Sequence, residues 1–278
     1  MNPESPQPLL PGPLGALGLT LGAWTVTLIS AIALAPAGGG IGMAVGLVLG
    51  FGGIATMAAR GVPAPADVRL GLRRFDARIL GWLALLLPLP LLLSELDNWV
   101  GVLLPVERDF PSGDEVGLLG IAESLLFLAL LRPVVEEFFF RGVVQHGLVS
   151  HRGARAGVLL TAALYSLAHL GFYASDERAA ASAALQGVVE GIVLGTLRIA
   201  SGSILPGILL RTATSALGLF AVVGADALPI PGFNTGDPHT PALWLIPAAV
   251  SVALALRLIA RAAAAAPNDP PIPEEEPD

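Results

Sequence analysis

Leu125-Leu126-Phe127-Leu128-Ala129-Leu130-Leu131-Arg132-Pro133-Val134-Val135-Glu136-Glu137-Phe138-Phe139-Phe140-Arg141-Gly142-Val143-Val144 sets two carboxylates and an arginine inside one of the most apolar runs of the chain. Ionisable groups at bilayer depth are unfavourable and persist mainly where they face a partner or a wet cavity. Two adjacent glutamates with an arginine one turn on therefore read as a buried reaction or transport centre within a membrane helix.

The composition around this stretch agrees. Of 278 residues, 54% are hydrophobic and only 13% charged, and the mean hydropathy is +0.74. Soluble domains carry roughly 25% charged residues. The fold class expected is all-α, a polytopic transmembrane bundle. No cysteine is present, which excludes disulfides, thiolate chemistry and Cys-based metal sites. All 15 basic residues are arginine, a bias of composition rather than of function. The net charge of −7 overstates the acidity of the folded part, because Asp269, Glu274, Glu275, Glu276 and Asp278 fall in a Pro-rich tail.

A span needs about 20 mostly apolar residues. Eight are expected, at 14–36, 41–59, 79–94, 116–149, 156–174, 183–200, 203–223 and 241–260. The third is short and carries Pro88 and Pro90; the fourth is long enough to tilt or to kink at Pro133. Residues 1–13 form an N-terminal segment without a basic n-region, so the first apolar run is expected to remain as a span. Residues 14–261 make the transmembrane domain, and 262–278 a disordered acidic Pro-rich tail. Loop 95–115 is a sizeable acidic connection.

Arginine placement orients the bundle. Arg60, Arg69, Arg73, Arg74, Arg78, Arg152, Arg155, Arg198, Arg257 and Arg261 share one side, and Glu95, Asp97, Glu107, Asp109, Asp114, Glu115, Asp176, Glu177, Asp226 and Asp237 the other, with only Arg108 and Arg178 among them. Short arginine-rich loops stay cytoplasmic, so both termini are expected in the cytoplasm, of a bacterial cell by composition, with the chain in its inner membrane.

On a helix, Glu137 and Arg141 are i, i+4 and can pair. Glu136 is turned about 100° away and should not share that contact, which leaves it freer to act as a base. A purely structural ion pair is the alternative, but it gives no reason for a second carboxylate. His169, in the next span, is either a packed core histidine or a ligand or proton shuttle facing the glutamates. Glu190 and Glu123 are further carboxylates within spans: Glu190 either faces the cavity and pairs with Arg211 or packs helices, and Glu123 reaches interfacial water. His146 and His151 are interfacial.

Residues 116–220 resemble the core of the CPBP family of intramembrane proteases, the CAAX-prenyl endopeptidase and Abi group. Glu136-Glu137-x-x-x-Arg141-Gly142 fits the family's first motif, and Tyr165-x-x-x-His169 fits the second with tyrosine where phenylalanine is usual. The run Gly191 to Arg198 and Gly202-Ser203-Ile204-Leu205-Pro206 resembles the approach to the third. There the pattern departs: counting from Ser203, the motif's histidine falls at Arg211 and its Asn or Asp at Ser215.

The resemblance implies an intramembrane endopeptidase that hydrolyses a peptide bond of a membrane-associated protein or lipidated peptide. Glu136 would activate water, Glu137 and Arg141 organise the site, His169 assist, and Arg211 with Ser215 take the oxyanion role. A zinc ion on Glu136 and His169 is one option and a metal-free scheme the other; Arg211 would repel a cation. Arg211 could equally be a counter-ion that silences the base, which gives the alternative of a catalytically impaired member that binds membrane peptides or partner proteins. A small transporter is a third class, but the sequence shows no inverted repeat. The expected surroundings are the lipid bilayer and a membrane-tethered substrate, with no nucleic acid.

Overall fold

The computed structural model describes residues 11–37, 39–105, 120–170 and 176–266. Among them are eight long helices and no strand: α1 (Pro13–Ala33), α2 (Gly40–Ala59), α3 (Arg78–Leu103), α4 (120–152), α5 (154–170), α6 (Glu177–Ser201), α7 (Leu205–Val223) and α8 (Ala242–Ala265). Six of these are long and apolar enough to cross a membrane. The other two, α4 and α5, are those on which Arg132, Glu136, Glu137, Arg141 and His169 lie. The chain is an integral membrane protein, an all-helical polytopic bundle.

Outward faces are apolar, as lipid contact requires. On α4, Val134 is 48% exposed while Glu136, two residues on, is 2% exposed. A step of two residues turns a helix by about 200°, so the carboxylate points into the bundle.

Two apolar clusters build the interior. Phe51, Phe139, Phe140, Val144 and Leu148 belong to one, joined by residues of α1 and α5. Leu83, Leu86, Leu93, Leu197, Leu210 and Ile259 belong to the other, formed by α3, α6, α7 and α8. Helices α5 and α6 pack most extensively, and glycines allow their close approach. A Cβ added at Gly191 would lie 2.7 Å from Cα of Ala162, and one at Gly187 2.9 Å from Cα of Ser166. Spacing by four puts these small residues on one stripe, the usual device for close helix contact in lipid.

Several boundaries differ from the sequence expectation. Helix α3 does not stop at 94: Pro88 and Pro90 sit at the start of its second half, Leu89–Leu103, where a missing N–H is tolerated. Polar residues continue that helix because they are partnered. Glu95 accepts from Asn98 Nδ2 at 3.0 Å and from the Thr240 amide at 2.9 Å. Hence 95–103 is helix rather than loop, while 106–115 lies outside the described residues. Helices α4 and α5 are separated only by Gly153, at φ 77°, so Arg152 and Arg155 lie within helix ends rather than in a loop. Helix α8 runs through its alanines to Ala265, shortening the expected tail from 262; residues 267–278 and 1–10 lie outside the described residues.

Contacts between connections gather charged residues at the two ends. At one end Arg198 donates to the Arg69 carbonyl (2.9 Å) and Arg73 to that of Gly202 (3.2 Å). At the other, Arg178 lies 3.7 Å from Asp97, and His239 contacts Glu95 at 2.8 Å.

Candidate active site in the bundle interior

Pro133 removes one backbone donor early in α4. On either side the helix widens to i→i+5 turns, at Leu125–Leu131 and Phe138–Val144, leaving Arg132–Glu137 as a regular segment between them. Such wide turns often mark functional sites. Phe139 and Phe140 anchor the region by edge-to-face packing with each other (4.9 Å between centroids); Phe139 makes the same contact with Phe51 (5.0 Å) and Phe140 with Tyr165 (5.2 Å).

Glu136 is bound from several sides. Its Oε1 accepts from Nε of Arg132 at 2.7 Å. Its Oε2 lies 2.7 Å from Nη1 of Arg211 and 3.6 Å from Nε2 of His169. The expectation of a comparatively free Glu136 is thus corrected: two guanidinium groups hold it. Arg132 was missed as a site residue, although it stands four residues before Glu136, the same spacing that reveals the Glu137–Arg141 pair. The expected separation of the two glutamates is relaxed too, because Nη1 of Arg211 is also 3.9 Å from Oε1 of Glu137. A long arginine arriving from α7 bridges faces that neighbours on α4 cannot.

Glu137 and Arg141 form the i, i+4 pair read from the sequence, at 3.0 Å, with both side chains buried. Gly207 on α7 makes the room: a Cβ there would run into the Glu137 carboxylate. Tyr165 is a hub. The Arg141 guanidinium lies 4.3 Å above its ring and that of Arg211 5.5 Å. The His169 ring lies 4.2 Å from it, tilted by 48°, and the Tyr165 hydroxyl donates to Oε2 of Glu190 at 3.3 Å. Cation–π contacts of this kind strengthen where water is excluded.

Nδ1 of His169 lies 2.8 Å from the Tyr165 carbonyl. The tautomer consistent with that contact donates from Nδ1 and presents a lone pair at Nε2 towards Glu136. Ser215 shares a cavity wall with Glu190, which accepts from the Tyr165 hydroxyl. It lines a cavity of about 710 Å³ with Asp97, Asp176, Glu190 and Thr214, one turn beyond Arg211. A narrower void of about 20 Å³ lies beside Arg211 and Glu190.

A zinc ion does not fit here. Catalytic zinc takes three protein donors, yet beyond Glu136 and His169 the third direction is filled by the Arg211 guanidinium, itself a cation, against the very oxygen that would ligate. Among the described residues no group of three His, Asp or Glu side chains is gathered as a metal site. Glu123 lies against Gly40 and His151 against Gly12, away from these residues.

The arrangement is thus a lipid-enclosed carboxylate facing a histidine nitrogen, with a guanidinium donor against the same oxygen. Residues 119–217, which span it, match the family model described as type II CAAX prenyl endopeptidase Rce1-like. No curated protein and no solved structure matches the chain. The likeness read from Glu136, Glu137, Arg141, Tyr165 and His169 is borne out over this stretch: residues 119–217, about a third of the chain, are similar to the Rce1-like type II CAAX prenyl endopeptidases, as in a CPBP intramembrane protease.

Proposed function

We propose that the protein is an intramembrane endopeptidase that cleaves a membrane-associated protein or lipidated peptide. The observation that carries this reading is the 3.6 Å approach of Glu136 Oε2 to His169 Nε2 inside the bundle. A water bonded to both atoms would give its proton to Glu136 and its oxygen to the scissile carbonyl. Arg211, drawn off Glu136, would donate to the oxyanion, and Glu136 would return the proton to the leaving amine. Glu137 and Arg141, paired one turn apart on α4, organise the site around Glu136, and Ser215 faces the cavity through which a polar segment would approach. No metal enters this scheme.

The arginine-rich end, with both termini, is assigned to the cytoplasm of a bacterial inner membrane. A second reading is a peptide-binding member without activity. It is favoured by one feature, the 2.7 Å pair of Arg211 with Glu136, which occupies the base.

One experiment separates the two readings. Purified protein in liposomes is given a panel of membrane-anchored peptides, with and without a prenylated C-terminus. Cleavage by the wild type and its loss in Glu136→Gln are expected. A wild type that cleaves no peptide but retains them on a column overturns the proteolytic reading in favour of the binding one.

A further inference from the structure

Three guanidinium groups and three carboxylates surround Tyr165, but they are unevenly matched. Arg141 takes Glu137 at 3.0 Å and Arg132 takes Glu136 at 2.7 Å. Arg211 then adds a second cation to Glu136, whose charge Arg132 already offsets. Glu190, on α6, meanwhile receives a hydrogen bond from the neutral Tyr165 hydroxyl. In a low-dielectric interior a carboxylate gains far more from a full cation than from a phenol.

Glu190 and Arg211 face the same narrow void, of about 20 Å³. Such a space suffices for one water between the two side chains. The void shares Pro90, Leu93, Glu190 and Thr214 with the 710 Å³ cavity, and of the three carboxylates around Tyr165 only Glu190 lines that cavity.

We propose that Glu190 is a positioning residue: it is the second carboxylate on which Arg211 docks. The guanidinium leaves Oε2 of Glu136, crosses the void and pairs with Glu190. Arg132 stays on Oε1 and keeps Glu136 ionised. Oε2 is then open beside Nε2 of His169, and Arg211 stands between the cavity and the base, where an oxyanion donor is needed. This rests on the reading of Glu136 as base, and it removes the conflict between an arginine that blocks the base and one that assists it.

The test is a double-mutant cycle on thermal unfolding, which needs no activity. Glu190→Gln, Arg211→Gln and their combination are measured in the wild type and in Glu136→Gln. With Glu136 neutral, Arg211 should reside on Glu190, and the two changes should couple by roughly 2–4 °C in Tm. In the wild-type background they should couple less. Additive shifts in the Glu136→Gln background overturn the proposal.

Proteolysis provides the second arm. Glu190→Gln should lower kcat roughly tenfold with little change in KM, and Glu190→Asp should recover most of it. In Arg211→Gln, Glu190→Gln should have no further effect. A Glu190→Gln variant as active as the wild type sinks the docking role while leaving Glu136 as base. A wild type without activity sinks the proteolytic reading, and the unfolding cycle still decides the docking.

Discussion

Arg132 and Arg211 grip opposite oxygens of a single side chain, Glu136, each at 2.7 Å and from different helices. Arg132 belongs to α4 itself, four residues before Glu136, whereas Arg211 arrives from α7. On the proposed reading, Oε1 is the anchored oxygen and Oε2 the working one.

Arg132 should matter for activity more than its partly exposed position suggests. Arg132→Gln is expected to leave Glu136 free to rotate and to reduce kcat by roughly ten- to a hundredfold, with Arg132→Lys intermediate because one ammonium cannot replace the directed Nε–H. Steady-state kinetics in liposomes checks this.

Arg141 is fully buried and its partner Glu137 nearly so. Arg141→Met should destabilise the protein by about 3–5 kcal/mol, the usual cost of leaving one charge of a buried pair uncompensated. Combining it with Glu137→Gln should recover a good part of that loss, since neither charge then remains. Unfolding in mixed micelles measures both.

Gly207 and Gly218 lie on the same helix in opposite circumstances. Gly207→Ala drives a methyl into the Glu137 carboxylate and should cost about 1–3 kcal/mol. A methyl at Gly218 meets nothing within 4 Å, so Gly218→Ala should be neutral or stabilise by up to about 1 kcal/mol. Thermal melts of the two variants side by side decide it; equal effects would contradict the close approach of α7 to Glu137.

Metal dependence follows from the donor set. Chelators should leave wild-type proteolysis unchanged. Arg211→His replaces the guanidinium against Oε2 with a third donor beside Glu136 and His169, and should confer zinc binding detectable by metal analysis and calorimetry. Stoichiometric zinc in the wild type would contradict the assignment of Arg211 as the cation of this site.

Much of this was legible in the residues. Apolar runs gave the spans because lipid contact demands them, and the Glu137–Arg141 spacing gave its pair because four residues make one helical turn. The position of Arg211 followed from its count beyond Ser203. Other features lacked a local signal. Arg132 was obscured by Pro133, which reads as a kink rather than as the start of a segment that aims the preceding side chain. The wide turns at Leu125–Leu131 and Phe138–Val144 have no sequence code. Ser215, one turn beyond Arg211 on α7, lines the cavity with Glu190 and Thr214, a wall that forms only once α6 and α7 come together. The double hold on Glu136 is a tertiary fact: it exists only once α7 lies against α4.

The 710 Å³ cavity runs from Asp97 and Asp176, at the acidic end of the bundle, inward to Glu190, and so away from the end where Arg69, Arg73 and Arg198 meet the backbone. The molecule is therefore sided. On the proposed reading, a polar compound too large to permeate the bilayer would approach Glu190, beside Arg211, through this acidic mouth, so an impermeant blocker added outside sealed vesicles would silence the copies inserted with that mouth facing it.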